Sequence, residues 1–292
     1  MQLETCTFLD VPALICPPDV SDRLDRVVSL LIDGVSRTQA RRLIASGSVF
    51  IDGRRCRVAS RVVQPGAQLR VELIAPAEQR AVQSLSILFD DGVCVAVDKP
   101  AGMPSVPTRR AARGSAHDTL QRQLRQQSGR ATRLWAVHRL DQAASGVLLF
   151  AKSAEAAAVI SKAFQTRQVQ KTYLARVADV PSSEAGVIDQ PIRTLERRAE
   201  VGPGGRPART HWRILRVDPA GTLLELRLDT GRMHQARVHL RALGHPILGD
   251  RLYGGTAAPR LMLHALGLVL AHPETGQLLE LHAPEPPDFI TS

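Results

Sequence analysis

The chain has 292 residues, of which 38 are Lys or Arg and 28 are Asp or Glu, so its formal net charge is +10. This excess of positive charge favours a polyanionic partner, while the four scattered Cys, without a C-x-x-C pair, indicate neither a zinc site nor a disulfide framework. No apolar run approaches the roughly 20 residues of a membrane helix, and the N-terminus lacks a basic signal region. We therefore expect a soluble, cytoplasmic protein, long enough for two unequal domains.

Two short helices followed by small strands are predicted near the N-terminus. Apolar residues recur at helical spacing over residues 22–31, and Ser36 is placed to cap a second helix that ends at Gly47. The Asp52-Gly53 pair is a strong hairpin signal, and residues 68–73 alternate like another strand. Residues 21–75 resemble the small S4-like RNA-binding domain shared with one small-subunit ribosomal protein, on three segments: Leu24-Asp25, Ser36-Arg37 and Gly47-Ser48-Val49-Phe50-Ile51-Asp52-Gly53.

The second predicted helix carries a basic face. Spacings of three and four residues are neighbours on a helix, so Arg37, Arg41 and Arg42 would face one phosphate backbone. An ordinary basic helix on a compact cap domain is the alternative. Residues 109–133 hold seven Arg against one Asp and form a second basic cluster, which is either a phosphate-facing patch or a solvated face.

A linker over residues 76–84 and a larger domain over residues 85–290 are predicted next. Val93, Val95 and Val97 alternate as in a strand. The pattern that follows indicates an α+β domain with a mixed, mostly antiparallel sheet, with strands at 147–151, 172–177, 211–217 and 223–228 and helices at about 153–167 and 233–242.

One carboxylate, Asp141, lies at the edge of the apolar strand that begins at Val147, and Ser145-Gly146 is predicted to be the turn that leads into it. An isolated Asp in a loop is most often a turn or cap residue. Here, however, residues 138–146 read H-R-L-D-Q-A-A-S-G and resemble the catalytic loop of the RluA-type pseudouridine synthases, H-R-L-D-x-x-T-S-G, in which the Asp is catalytic. Ala144 stands where Thr is usual.

Further segments carry the same resemblance over residues 85 to 290. Met233 and Ala236 depart from it, replacing Thr and Ile. Ordered matches of this kind are far more specific than any one alone, and they are K-x-Y-x-A at 171–175, G-R-x-H-Q-x-R-V-H at 231–239, G-x-P-x-x-G-D at 244–250, Y-G at 253–254 and L-x-L-H-A at 261–265.

The resemblance implies an isomerase that breaks the glycosidic bond of a uridine, turns the trapped base and rejoins the sugar through carbon, with RNA held in a cleft across the sheet. No redox cofactor, metal or nucleotide is required, and the chain has neither a P-loop nor a dinucleotide fingerprint. Asp141 must be ionised to act. It attacks the sugar, attacks the base or removes a sugar proton, and the sequence does not separate these routes.

The resemblance also implies roles for further residues. Arg237 would pair with Asp141 and favour its ionised form, the alternative being a phosphate ligand. Tyr173 would stack on the flipped base and serve in proton transfer, the alternative being ordinary packing on the sheet. His138 and Arg139 would contact RNA near the displaced nucleotide, and Leu263 would wall the pocket.

Other functions are less well supported by the sequence. His234 and His239 are five residues apart, about 140° around a helix, and do not share a metal ion easily. A hydrolase with Ser145 as nucleophile lacks the G-x-S-x-G elbow. A noncatalytic RNA-binding or ribosome-assembly protein is the remaining rival, against which Asp141, Tyr173 and Arg237 argue. We expect a monomeric pseudouridine synthase for large-subunit ribosomal RNA, with transfer RNA as the alternative substrate.

Overall fold

The computed structural model describes residues 14–32, 35–71, 84–107, 114–196 and 198–289, without the side chains of Arg42 and Ser46. Contacts divide the chain into two compact units, Met1–Val82 and Gln83–Ser292. Most of the predicted linker, residues 76–84, lies outside the described residues. None of the helices in the described ranges is long and apolar enough to cross a bilayer.

The first unit consists of two helices and short strands around an apolar core. Its four-stranded sheet has the order β1-β6-β3-β4, and β2 pairs with β5. The elements are β1 (Leu14–Ile15), β2 (Asp22–Arg23), α1 (Leu24–Leu31), α2 (Arg37–Ser46), β3 (Val49–Ile51), β4 (Arg54–Cys56), β5 (Val62–Val63) and β6 (Gln68–Val71).

Helix α2 begins and ends where the sequence predicted. The Ser36 hydroxyl accepts the amide hydrogen of Gln39, whose side chain accepts the Ser36 amide in return, and Gly47 ends the helix at φ 82°. Asp52 and Gly53 both have positive φ, at 49° and 75°, as a tight hairpin between β3 and β4 requires. These predictions are confirmed.

The second unit is an α+β domain on a mixed, mostly antiparallel sheet, so the predicted fold class is confirmed. The strands are β7 (Ser86–Asp90), β8 (Cys94–Lys99), β9 (Trp135–Ala136), β10 (Ser145–Ala151), β11 (Gln170–Val177), β12 (Ala185–Asp189), β13 (Ile192–Thr194), β14 (Ala199–Val201), β15 (Arg209–Asp218), β16 (Gly221–Leu228), β17 (Leu263–Ala271) and β18 (Leu278–His282). The helices are α3 (Ala116–Ser128), α4 (Ala154–Gln165) and α5 (Gln235–Ala242), and Pro287–Phe289 forms a 3-10 turn.

The large sheet has the order β12-β15-β16-β11-β17-β10-β8-β7, with β18 beside β17 and β9 beside β10. Among the described strands, β10 and β17 run parallel, whereas the other paired neighbours in this sheet are antiparallel. The parallel pair of β17 and β10 therefore joins two antiparallel groups, one from β12 to β17 and one from β10 to β7.

Strand β10 is buried at every position because it is covered on both faces. Val147 and Leu149 pack in a cluster with Ile160 of α4, and Leu148 and Phe150 pack in another with α3 residues on the opposite face. Side chains alternate between the faces of a strand, so a strand covered on both sides reads as a continuous apolar run. The sequence predicted this strand but not α3.

One prediction near the site was wrong, and one helix begins two residues later than predicted. Ser145 and Gly146 are not a turn but the first residues of β10, where Gly146 is paired with Lys99 and with Ala265. Helix α5 begins at Gln235 and not at residue 233, because the Gln235 amide donates to the Arg232 carbonyl in a turn that precedes the helix.

Gly146 is needed at the start of β10 for steric reasons. Its φ is 111°, and a Cβ atom there would lie 2.2 Å from the carbonyl oxygen of Ala265. We expect Gly146→Ala to lower the free energy of unfolding by more than about 3 kcal/mol. Gly244→Ala is the matched control, since its φ is 89° but nothing lies within 4 Å, and it should cost only the backbone strain of about 1 to 2 kcal/mol.

Urea unfolding followed by tryptophan fluorescence measures this difference, because both Trp135 and Trp212 lie in the second unit. Equal losses for the two variants would show that β17 moves aside to accommodate the methyl group.

Candidate active site

Asp141 lies in a short loop whose backbone is fixed on both sides. Before it, the buried Ser105 hydroxyl accepts the Leu140 amide hydrogen at 3.0 Å and donates to the Leu140 carbonyl at 2.9 Å. After it, the Ala144 amide donates to the Asp141 carbonyl at 3.1 Å. The loop thus presents one carboxylate, which is 26% exposed, in a defined position.

Lys99, the last residue of β8, ties this loop to the turn that follows its own strand. Its side chain is fully buried, and its ammonium group donates to carbonyls of both segments. The carbonyls of Gln142, at 3.4 Å, and Ala144, at 2.5 Å, belong to the Asp141 loop, and those of Pro100 and Met103, both at 2.9 Å, to the turn. Sequence reasoning missed Lys99, although a lysine ending an apolar strand is a signal, because buried lysines need partners.

Burial lowers the pKa of Lys99 from 10.5 to about 8, while the charges of Asp141 and Asp98 oppose the shift. A neutral amine has only two N–H donors for four carbonyls, so deprotonation releases part of the loop. We therefore expect the single-turnover rate to fall as pH rises through about 8. Stability should change in the opposite sense: because the native pKa is below the unfolded value, the Lys99 contribution rises between about pH 8 and pH 10.5.

Rates and thermal unfolding measured across this pH range test both statements. Lys99→Arg keeps its charge in alkaline solution, so the decrease of the rate should occur at higher pH in this variant. Lys99→Met should have a low rate that does not decrease further over this pH range. A decrease that stays at the same pH in Lys99→Arg would belong to another group, such as the uracil ring of the substrate.

Arg237 of α5 bridges two carboxylates. Its Nη1 lies 3.2 Å from Asp141 Oδ2, and its Nε and Nη2 donate to Asp250 at 2.7 and 2.8 Å. Asp250 is fully buried and also accepts the amide hydrogens of Leu252 and Tyr253. Burial disfavours the guanidinium charge, but Asp250 and Asp141 outweigh it, so the pKa of Arg237 is raised.

Asp250 therefore orients the arginine that faces Asp141. Asp250 belongs to the G-x-P-x-x-G-D segment, but the sequence alone predicted no role for it. Only the folded chain shows the two hydrogen bonds that fix the plane of the Arg237 guanidinium.

Tyr173 of β11 lies on the same cavity as Asp141. The pairing of β11 with β17 shifts register between Thr172 and Tyr173, an irregularity of the kind that re-aims a side chain beside a site. Burial, and then the negative charge of Asp141, raise the pKa of the Tyr173 phenol. Its hydroxyl therefore keeps its proton at neutral pH and is available as a donor.

The cavity has a volume of about 350 Å³, within the range of small-molecule sites. It brings together four of the predicted residues of the catalytic site, Asp141, Tyr173, Arg237 and Leu263, and also Arg139. Their chemical roles remain predictions. Residues that sequence reasoning gave no role also line the cavity: Lys171, Arg232 and His234.

His138 is half-buried, and its contact with RNA stays a prediction. Its Nε2 accepts the amide hydrogen of Leu149 at 2.9 Å, and its ring stacks on Phe164 at 4.8 Å. Burial, and then the charge of Lys171, lower its pKa to about 3. A neutral ring bonded to the backbone of β10 fixes the chain three residues before Asp141, which its motif position alone does not reveal.

The arginines of α2 are already engaged with a carboxylate. Asp25, whose side chain is fully buried, accepts Arg41 Nε at 2.7 Å, Arg23 Nε at 3.2 Å and Arg37 Nη2 at 3.4 Å. Burial opposes ionisation, but these arginines lower the pKa of Asp25 to about 2. Arg37 and Arg41 remain about half exposed, so contact with phosphate stays a prediction. The side chain of Arg42 lies outside the described residues.

A cluster of possible metal ligands, Asp91, Cys94 and His272, occurs elsewhere in the described part of the chain. The His272 Nδ1 accepts the Thr275 amide hydrogen, so the neutral ring carries its proton on Nε2, 2.7 Å from Asp91. Burial, and then the charge of Asp91, raise the pKa of Cys94 to about 12. A metal ion would have to displace the proton of Nε2 and that of a thiol whose pKa is raised, so at neutral pH the cluster fits a His–Asp contact between turns better than a metal site.

Ser145 does not resemble an exposed nucleophile. It is 6% exposed, and its hydroxyl lies 2.9 Å from His264 Nδ1 and 3.1 Å from Arg260 Nη1, away from the cavity that contains Asp141.

Comparison with known proteins agrees with this fold. Residues 93–242 match the family described as RNA pseudouridylate synthase, and residues 22–69 match the S4 domain. An uncharacterized RNA pseudouridine synthase of Chloroflexus aurantiacus is 38% identical over 284 residues, covering 94% of this chain and 89% of that protein. The ribosomal large subunit pseudouridine synthase D of Nitrosomonas europaea is 36% identical over 288 residues, covering 91% and 82%.

A solved structure, human RNA pseudouridylate synthase domain containing 4, superposes with a TM-score of 0.60 at 28% identity and covers 74% of this chain and 93% of that one. The fold and the site thus define an RNA-binding isomerase with an N-terminal S4 domain. The chain belongs to the RNA pseudouridine synthase family, as its H-R-L-D segment indicated.

Proposed function

We propose that this pseudouridine synthase converts uridines of large-subunit ribosomal RNA, acting in the cytoplasm as a monomer with Asp141 as its catalytic residue. The observation that carries the assignment of Asp141 is its place in the cavity, bonded to Arg237 at 3.2 Å. The ribosomal substrate is supported by relatives over 30% identical that bear the name ribosomal large subunit pseudouridine synthase D.

The reaction is an isomerisation, so its atoms balance without a co-reactant. The bond between N1 of uracil and C1′ of the ribose breaks, the base turns, a bond forms between C5 and C1′, and the proton lost from C5 is balanced by one gained at N1. Asp141 acts at the sugar or at the base, and each route needs its carboxylate ionised. Arg237 Nη1 lies 3.2 Å from Asp141 Oδ2 and donates to it, which holds the carboxylate in position and places a compensating charge beside it.

Tyr173 and Leu263 supply the walls against which the free base would turn. The Tyr173 ring offers a stacking face, and its protonated hydroxyl offers a donor to the uracil carbonyls. Leu263 is buried in β17 and limits the cavity on the apolar side. A base trapped in this way is kept from leaving while its bond to the sugar is open.

Pseudouridine mapping across total RNA, in cells with and without this gene, tests the substrate. We expect one or more sites in large-subunit ribosomal RNA to disappear with the gene and to return when it is restored. Loss of sites confined to transfer RNA would move the enzyme to the alternative substrate. If the pseudouridine sites were unchanged and the protein still bound RNA, the result would support a noncatalytic RNA-binding or ribosome-assembly protein.

We further propose a division of labour between an S4-like domain over residues 21–75 and a catalytic domain over residues 85–290. Phosphate contacts release counterions, so removing a domain that neutralises about three phosphates should flatten the logarithmic salt dependence of binding by roughly two to three units. Chemistry at saturating RNA should survive in a fragment that starts near residue 81.

Binding across a salt series and single-turnover rates for both proteins measure these effects. An unchanged salt slope would reject RNA binding by the N-terminal domain. A folded but inactive fragment at saturating RNA would show that this domain helps to build the active site.

A further inference from the structure

We propose that His234 is a substrate-binding residue that, together with Asp141, holds the 2′-hydroxyl of the target nucleotide. The inference rests on the role of Asp141 proposed above. Its starting point is the placement of the His234 ring in the cavity, where Nε2 lies 3.9 Å from Asp141 Oδ2 and the side chain is 15% exposed.

The backbone of His234 is held in an uncommon conformation. Its φ is 55°, in the left-handed region that residues other than glycine rarely adopt, and it directly precedes α5. Such strain persists only where the surrounding structure enforces it, and it clusters at ligand sites. Here it places the imidazole beside the carboxylate, one turn of chain before Arg237.

Tyr253 fixes which nitrogen of His234 carries the proton. The buried Tyr253 oxygen accepts the Ala199 amide hydrogen at 2.9 Å and lies 2.8 Å from His234 Nδ1. Among the described residues, Nδ1 is the acceptor available to the phenolic proton, so the tyrosine donates to it. The proton of the neutral ring is therefore on Nε2, which faces Asp141.

The gap between this donor and the carboxylate is too wide for a direct hydrogen bond. It suits a bridging atom: an oxygen can lie about 2.8 Å from both Nε2 and Oδ2 when these are 3.9 Å apart. That oxygen must accept from the N–H and donate to the carboxylate, as a water molecule does in the free enzyme. Among the oxygens of an RNA substrate, a hydroxyl does both, whereas a carbonyl or phosphate oxygen only accepts.

An internal RNA nucleotide has one free ribose hydroxyl, at the 2′ position, because its 3′ and 5′ oxygens are esterified. The base edge is a poorer candidate, since the base turns during the reaction while the sugar stays. Asp141 Oδ2 would then contact Arg237 and the hydroxyl, and Oδ1, which accepts no hydrogen bond from the described residues, would be left to react. Recognition of this hydroxyl also separates RNA from DNA.

The test uses single-turnover rates at saturating RNA with two short synthetic substrates. Both have the sequence around a uridine that the wild-type full chain converts in cellular RNA. One carries uridine at the target position and the other carries 2′-deoxyuridine there. We expect His234→Asn to slow conversion of the uridine substrate about tenfold, the effect of one lost hydrogen bond. It should leave the rate on the deoxy substrate unchanged, because there the contact is already missing.

His234→Gln is the matched variant. A glutamine amide reaches about as far as Nε2, whereas that of asparagine reaches only as far as Nδ1, although asparagine tolerates the left-handed backbone better. Glutamine should therefore recover most of the uridine rate. Equal slowing of both substrates by His234→Asn, or equal rates for the two variants, would overturn the proposal, because donor reach would then be irrelevant.

Nitrogen-15 spectra of protein labelled in histidine test the tautomer separately. We expect the proton on Nε2 in the wild-type protein, and a proton on Nδ1 would overturn the proposal. Asp141→Asn, measured on the same uridine substrate, reports the proposed catalytic role. If Asp141→Asn were active while the His234 variants gave the expected rates, the catalytic role of Asp141 would be contradicted. The proposed role of His234 would not be contradicted by that result.

Discussion

Asp141→Asn should reduce the single-turnover rate by at least about a thousandfold while leaving the fold and RNA affinity nearly unchanged. The substitution is almost isosteric, but it removes the negative charge that every route for this reaction requires. Asp141 is 26% exposed, and its loop is held by Ser105 and Lys99, which do not contact its carboxylate. The loss should therefore appear in the rate at saturating RNA.

Asp179→Asn is the matched control, because Asp179 is exposed in the same unit and its substitution removes an equal charge. Its rate should equal that of the wild type. Retention of even a tenth of the wild-type rate by Asp141→Asn would remove Asp141 from its catalytic role.

Arg237→Ala should have two separable effects. It leaves the fully buried Asp250 without its cationic partner, which we expect to lower the free energy of unfolding by about 3 to 5 kcal/mol. It also removes the positive charge beside Asp141, so the rate at saturating RNA should fall more than RNA affinity does.

The pair Arg237→Met with Asp250→Asn distinguishes these effects. Removing both charges together should restore most of the stability, because no buried charge is left unpaired, but it should not restore the rate. Urea unfolding and single-turnover rates on the same proteins provide the measurement. An unchanged rate with only weaker RNA binding would make Arg237 a phosphate ligand.

Local sequence signals predicted the local structure well. The Ser36 cap, the Gly47 helix end and the Asp52-Gly53 turn all form as expected, because each depends on a few neighbouring residues. Strand β10 was also predicted, because a strand that is buried on both faces has a continuous run of apolar residues.

Features that depend on distant partners were missed or misplaced. The helical pattern of α2 predicted exposed arginines but could not reveal that Asp25, twelve and sixteen residues earlier, binds Arg37 and Arg41. Ser145-Gly146 was predicted as a turn because small residues favour turns, whereas the close approach of β17 is what requires the glycine.

The site itself divides in the same way. A family motif located Asp141, Tyr173 and Arg237, but the supporting contacts of Lys99 and Asp250 appear only when the chain is folded.

Strand β17 has a consequence for the order in which the protein is made. It is synthesised near the end of the chain, yet it lies between β10 and β11. Strand β8 carries Lys99 and strand β10 follows the Asp141 loop, and strands β11 and β16 form the part of the sheet that contains Tyr173. Until residue 271 has left the ribosome, no strand connects these two parts of the sheet. The small N-terminal unit, whose strand pairings all lie within residues 14–71, can fold well before then. A nascent chain is thus able to acquire its first fold beside ribosomal RNA while it is still without an active site.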